Sequence, residues 1–204
     1  ITVITALSCN SNKMKNTNPL LERSQLPYGA PLFDKITEGD YKPAFLLAIE
    51  EGKLQIDSIV NDKDEPTFEN TIEKLEFAGS KLSGVSSIFF NLNEANTSDT
   101  MQQIALEVSP LLTEYSNDII LNEKLFERVK AVYEKRNDLN LNKEQLRLTE
   151  ETYKGFARNG AGLKGEEMEK FREISKELSQ LSLKFGQNVL AATNKFVLHI
   201  TDST

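Results

Sequence analysis

The sequence has very few of the side chains that most often carry catalytic chemistry. Its 204 residues include one histidine, His199, and one cysteine, Cys9. A helical zinc-protease motif needs two histidines four positions apart with a glutamate between them, and a single cysteine cannot form a thiolate zinc site. Nucleophilic triads need a histidine base, but we expect His199 to face solvent or an interface. The residues alone therefore identify no catalytic and no metal-binding side chain.

Positive charge and long apolar runs are also scarce. Lys and Arg total 24 against 31 Asp and Glu, giving a net charge of −7, whereas nucleic-acid binding needs clustered basic side chains. No apolar run approaches the roughly 20 residues of a membrane-spanning helix. The glycine-rich segment 159–165, NGAGLKG, lacks the Gly-Lys-Ser/Thr ending of a phosphate loop. Because acidic residues outnumber basic ones, nucleic acid is not expected as a partner.

The first residues resemble the end of a bacterial lipoprotein signal. The apolar run 1–7 leads into Ser8 and Cys9, and polar residues follow. In such signals the cysteine is lipidated after cleavage, so we expect Cys9 to be the lipid attachment site of a protein exported to the periplasm or cell envelope. Segment 1–25 is then a signal remnant followed by a flexible tether. The alternative is a frayed N-terminus with an incidental cysteine.

Helical periodicity dominates the chain from about residue 40 onward. Good N-cap residues precede apolar series of helical spacing, and these caps are Asp40, Thr67, Ser98, Asn122 and Asn142. Pro110 should kink or divide its helix. Because the connections are short, neighbouring helices should be antiparallel. The predicted fold is all-α, a bundle-like array of about six helices with a short strand in the C-terminal segment 195–201, KFVLHIT.

Two segments allow more than one interpretation. The turn that contains Arg158, Gly160, Ala161 and Gly162 is either a plain connection between helices or a mobile loop that lines a substrate channel. The longest apolar series favours a helix face that is buried or packed in a hairpin over a self-standing coiled coil. Its members are Met168, Phe171, Ile174, Leu178, Leu181, Phe185 and Val189.

Several stretches in combination resemble the N-terminal helical region of the thimet oligopeptidase family, especially its bacterial peptidyl-dipeptidase and oligopeptidase A branch. They are LFDKITEGDYKPAFLLAIEEG at 32–52, PTFENTIEKLEFAG at 66–79, YKGFARNGAGL at 153–163 and LSLKFGQNVLAATNKFVLHITD at 181–202, in the family's order. The resemblance covers about residues 25 to 204, and 26–204 is predicted as one helical region. The motif positions expected to be structural are Pro66, Thr67, Phe68, Asn70, Thr71, Phe185, Asn188 and Asn194.

This resemblance implies a zinc metallopeptidase built as two halves around a deep channel. The family's zinc ligands and general base belong to a His-Glu-x-x-His motif and a downstream helix, and nothing in residues 1 to 204 matches them. The chain is thus expected to be the non-catalytic N-terminal part of a peptidyl-dipeptidase or oligopeptidase. Zinc and catalysis would lie in a C-terminal half, its partner, and short peptides would be the substrates. The alternative is a stand-alone helical module that binds peptides or a protein.

Overall fold

The structure, a computed structural model, describes residues 18–199 and residue 201, so Cys9 and the signal-like segment lie outside the described residues. The prediction of an all-α fold is confirmed. A single 3-10 turn at Pro27–Gly29 precedes the first helix, and a π-helical turn at Phe68–Glu73 runs directly into α2. The helices are α1 (Glu38–Val60), α2 (Lys74–Phe77), α3 (Ser80–Ala95), α4 (Asp99–Ile120), α5 (Glu123–Lys135), α6 (Lys143–Arg158) and α7 (Gly165–Lys195).

Side-chain caps fix most of the helix starts where the sequence predicts them. Each cap oxygen accepts a hydrogen bond from the backbone N–H three residues later, and the confirmed caps are Thr67, Ser98, Asn122 and Asn142. The start of α1 differs, because its cap is Thr37 and not Asp40. The Asp40 carboxylate instead reaches back and accepts from the Thr37 backbone N–H at 2.7 Å.

The predicted second helix is divided at Gly79. This glycine has a φ of +73°, and its N–H donates to the Gln55 side-chain oxygen at 2.8 Å. A Cβ at Gly79 would lie 2.8 Å from the hydroxyl oxygen of Tyr115, so the close approach of that ring requires glycine here. The apolar pattern from Thr67 predicts a helix to about Leu92 in which Gly79 and Gly84 allow close packing or a bend, and the structure has a turn at Gly79, between α2 and α3.

Pro110 does not divide α4, which runs unbroken from Asp99 to Ile120. A proline in a helix interior lacks the N–H that would bond to the carbonyl four residues earlier. Helix α4 packs against both α1 and α7, and this packing outweighs the missing hydrogen bond. Of the two expected effects of Pro110, a kink or a division of the helix, the division does not occur.

Two apolar cores share α1. The first core joins the N-terminal half of α1 to α3 and α4, and Phe45 and Phe89 meet there edge to face with ring centroids 5.3 Å apart. The second core joins the other end of α1 to the π-turn, α5 and α6. Asn18 and Leu20, which fall in the segment predicted as a tether, also contact the first core region. Leu20 is buried, and the Asn18 side chain donates to the Asp40 carbonyl.

Helix α7 lies along α4 and has no buried residue. Met168 and Phe171 are half-buried, but the other five members of its apolar series are exposed. The expectation of a face that is buried or packed in a hairpin is therefore met only in part, at Met168 and Phe171.

The predicted terminal strand is not formed in the described residues. Residues 196–199 follow α7 without secondary structure, and the backbone of Phe196 is extended. A strand needs a neighbouring strand to satisfy its backbone groups, and within residues 18–199 no segment is in a sheet.

Candidate functional site

The described residues hold no cluster of His, Cys, Asp and Glu that could bind a metal ion. His199 is exposed beyond the end of α7. No described helix combines the length and apolar character that crossing a membrane takes. The pKa shifts of ionisable side chains arise from local hydrogen bonds and burial. Hydrogen bonds from Gln103 and Lys42 lower the pKa of Glu107, and burial raises the pKa of Tyr115. These groups do not form the acid and base pair of an active site.

The turn after α6 is anchored to the second core. Its glycine, Gly160, has a φ of +99°, and the N–H of Ala161 donates to the Phe156 carbonyl at 3.2 Å. This bond closes the helix as in a Schellman motif. Ala161 is buried, and a Cβ at Gly160 would lie 3.3 Å from a methyl carbon of Leu121. The inner half of the predicted mobile loop is thus tightly packed.

Arg158 and Gly162, the other two candidates in this turn, face solvent. The next residue but one, Lys164, forms an ion pair with Glu123 at 2.6 Å, which ties the start of α7 to the start of α5. The turn therefore presents one cation and a short stretch of backbone to solvent. That it lines a channel stays a prediction.

The motif at 66–71 forms the best-defined polar site of the described chain. Thr67 and Asn70 cap each other: the Asn70 N–H donates to the Thr67 hydroxyl at 3.1 Å, and the Thr67 N–H donates to the Asn70 side-chain oxygen at 2.8 Å. That same oxygen accepts from the Thr71 hydroxyl at 2.8 Å. The Asn70 amide nitrogen donates to the Glu65 carbonyl at 2.9 Å. Through these hydrogen bonds Asn70 links the loop before the π-turn to the turn itself.

Arg128 of α5 completes this site, and the sequence reasoning did not single it out. Its guanidinium donates to the carbonyls of Asp62 and Asp64 at 3.0 and 3.2 Å and to the Asn70 side-chain oxygen at 3.1 Å. The side chain is buried, and its Nε–H has no partner. We call Asn70, Arg128 and these two carbonyls the arginine node. It fastens the loop 61–66 and the π-turn to α5.

A signal for Arg128 is present in the sequence. The buried apolar positions of α5 include Leu125, Val129 and Val132, and Arg128 lies between them at helical spacing. A charged residue on the apolar face of a helix needs a specific partner. The buried neighbours Phe68 and Thr71 show that this motif faces the core. The structural role expected of Pro66, Thr67, Phe68, Asn70 and Thr71 stays a prediction.

The three other motif positions are on α7, away from the node. Phe185, Asn188 and Asn194 are all exposed. Phe185 belongs to a row of exposed apolar side chains on α7. No other element of the described chain covers this row. Among residues 18–199 the structure thus contains a packed polar node and an uncovered helix face.

Known proteins that resemble the chain are peptidases. No protein-family model matches the chain. It is 39% identical over 188 residues to dipeptidyl carboxypeptidase of Salmonella typhimurium and 38% identical over 189 residues to that of Escherichia coli. These matches cover 92% and 93% of the chain but only 28% of each relative. Oligopeptidase A of Escherichia coli is 27% identical over 91% of the chain, which covers 27% of that relative. The resemblance to this peptidase family is confirmed.

Proposed function

We propose that this chain, a homologue of the dipeptidyl carboxypeptidases and oligopeptidases A over nearly its whole length, is the non-catalytic N-terminal part of a zinc peptidase. The observation that carries the proposal is the pair of coverage values: more than nine-tenths of the chain matches, yet it spans only about 28% of the relatives' length. A part of that size leaves room for a catalytic region elsewhere in the protein.

The residue inventory supports this division of the protein. The described residues offer no ligand set that fits zinc, so in this proposal the metal belongs to the remaining part of the polypeptide. A bound zinc ion would there polarise the peptide carbonyl and activate water. The present chain's own contribution is structural and selective.

The proposed role of the helices is to form one wall of the substrate channel. A wall of packed helices does not deform easily, so it admits short, extended peptides and excludes folded proteins. The exposed Arg158, two positions before Gly160, is the residue of this wall that we propose to face the channel, where a cation can attract the carboxylate end of a peptide. The full protein would then be selective for short peptides.

We further propose that Cys9 anchors the protein in the bacterial cell envelope. The apolar run that ends in Ser8 and Cys9 supports this, together with the polar segment that follows. Lipid attachment would place the peptidase where it meets imported peptides.

The first experiment is to sequence the source gene beyond the codon for Thr204. We expect an open frame that continues to a His-Glu-x-x-His motif. The second experiment compares the 204-residue chain with the full-length product on a peptide of about ten residues, with and without a chelator. Only the full-length product should cleave, and only with zinc. Zinc-dependent cleavage by the pure 204-residue chain would contradict the proposal.

A second candidate function is a stand-alone helical module that binds peptides or a protein. Such a module should expose little apolar surface, so the exposed row on α7 counts against it. A stop codon directly after Thr204 would support this function. Isothermal titration with a peptide library would then replace the cleavage assay.

A further inference from the structure

One face of α7 exposes a continuous row of large apolar side chains. We call Ile174, Leu178, Leu181, Phe185 and Val189 the outer face. Their exposed fractions are 53%, 62%, 56%, 71% and 48% in that order. Monomeric proteins expose single apolar side chains commonly, but contiguous apolar patches of this kind mark interaction sites. The outer face is therefore the strongest candidate for an interface in the described chain.

The orientation of α7 is fixed by contacts on its opposite side. Arg172 forms an ion pair with Asp118 of α4 at 2.8 Å, and the hydroxyls of Ser179 and Ser109 are 2.7 Å apart. Leu183 packs against the first core. Because these contacts hold the inner side against α4, rotating the helix to bury the outer face would break them. The exposure of the outer face is thus a consequence of the fold.

The spacing of the outer face suits a second helix as its neighbour. Successive members are four, three, four and four positions apart. Side chains with this spacing form a stripe along one side of a helix, which packs against a similar stripe on another helix. Exposed Phe196, Val197 and Leu198 extend the apolar surface beyond the end of α7. The surface runs along the helix and on into the chain that follows.

The charges around the outer face do not suit an anionic membrane. Helix α7 carries as many acidic as basic side chains. A helix that lies on a lipid surface typically has an excess of Lys and Arg on its polar face. A polar rim of mixed charge around an apolar centre is instead typical of protein interfaces.

We propose that the outer face of α7 is the docking surface for the polypeptide that follows Thr204 in the full-length protein. This rests on the function proposed above. The matched part is only 28% of each relative. A full-length protein of the same size would therefore contain a large further region that could cover the outer face. Thr204 is only nine positions after Lys195, the last residue of α7, so a short connection joins α7 to the segment that would follow. Short connections of this kind favour contact between consecutive elements.

Hydroxyl-radical footprinting tests this directly. The oxidation rate of Phe185 is measured by mass spectrometry in the 204-residue chain and in the full-length protein. We expect a rate about tenfold lower in the full-length protein, because the docked segment excludes water from the ring. Phe45 and Phe89 are buried and should react slowly in both, which confirms that both samples are folded.

A pair of matched variants sharpens the test. Leu178→Asp places a charge in the centre of the outer face, and Leu54→Asp is its control on α1. Leu54 is 64% exposed, close to the 62% of Leu178, but its helical neighbours at three and four positions are Glu50, Glu51, Asp57 and Ser58. In the full-length protein Leu178→Asp should raise the oxidation rate of Phe185 about tenfold, and Leu54→Asp should leave it unchanged. The comparison of the two wild-type proteins needs no variant, so it tests the docking surface even if Leu178→Asp misfolds.

Each other outcome overturns the inference in a recognisable way. Equal oxidation of Phe185 in the two wild-type proteins would show that the face stays uncovered. Slow oxidation in the 204-residue chain that depends on its concentration would identify a second copy as the occupant. Slow oxidation at every concentration would identify the chain's own residues. Peptide cleavage by the full-length protein is scored separately, so the proposed function can hold while the docking surface fails, or fail while the docking surface holds.

Discussion

Replacing Arg128 by methionine should loosen the attachment of the loop 61–66 to α5. Methionine matches the stem of arginine as far as Nε and keeps its apolar contacts, so the change mainly removes the end of the guanidinium and its three hydrogen bonds. Asn70 keeps its bonds to Thr67 and Thr71, but the carbonyls of Asp62 and Asp64 lose their donor. The arginine node then no longer links the loop to the helix.

The magnitude follows from the number and kind of these bonds. A hydrogen bond from a charged donor contributes about 1.5–3 kcal/mol, and an unpaired buried polar group costs about 1–3 kcal/mol. The Nε–H of Arg128 is buried without a partner, which offsets part of the gain, and water can reach the exposed side of the Asp64 segment. We therefore expect Arg128→Met to lower the free energy of unfolding by about 2–3 kcal/mol. The melting temperature should fall by about 6 °C.

Urea titration followed by circular dichroism at 222 nm measures this loss. Lys130→Met on the same helix is the matched control, because Lys130 is half-exposed and its ion pair with Glu134 spans 3.8 Å. An exposed pair of this kind contributes less than about 0.5 kcal/mol. A double-mutant cycle with Asn70→Ala should show coupling of about 1 kcal/mol or more between the two side chains. If Arg128→Met lies within about 0.5 kcal/mol of the wild type, the arginine node does not stabilise the fold.

Three other predictions concern Tyr115, Glu107 and Cys9. The buried Tyr115 hydroxyl has no hydrogen-bond partner. Tyr115→Phe should therefore leave the free energy of unfolding, measured by urea titration, within about 1 kcal/mol of the wild type or raise it. A loss of about 2 kcal/mol or more would instead indicate that the hydroxyl binds a water or a ligand. Hydrogen bonds from Gln103 and Lys42 hold the pKa of Glu107 below its usual value, so their contribution is present above the unfolded-state pKa and is lost as pH falls through the folded-state pKa. Lys42→Met should therefore make stability less dependent on pH between about 5 and 3, and an unchanged pH profile of urea midpoints would refute this. In a bacterial host, Cys9→Ser should abolish incorporation of radiolabelled palmitate, and label that persists in the variant would exclude Cys9 as the attachment site.

Local chemistry explains why the helix starts could be predicted from the sequence. A cap side chain bonds to a backbone N–H only three residues away, so residue type and position suffice. Thr67 and Asn142 each form a reciprocal capping box with the residue three positions on. The start of α1 follows the same rule with Thr37 and Asp40, but either residue is a good cap, and the pattern alone favoured the wrong one.

Contacts between distant residues explain what the sequence could not predict. Arg128 is 58 positions from Asn70, and only the fold brings the two together. The turn at Gly79 depends on its hydrogen bond to Gln55 and on the close approach of the Tyr115 ring, and both residues are likewise far away in sequence. Helical periodicity predicts which face of a helix is apolar, but it does not predict which side chains of other elements contact that face.

Helix α7 shows how periodicity can point away from the chain's own core. Its most regular apolar series is the outer face, whereas the inner side meets α4 through polar contacts such as Arg172 with Asp118 and Ser179 with Ser109, besides the apolar contact of Leu183 with the first core. An amphipathic helix normally turns its more apolar side to the core, because burying apolar surface is the dominant favourable contribution to folding. Here the described chain covers the less apolar side. A sequence that keeps five large apolar residues in register on the uncovered side is best explained if that side is covered in the complete protein, and this supports the proposed docking of the polypeptide that follows Thr204.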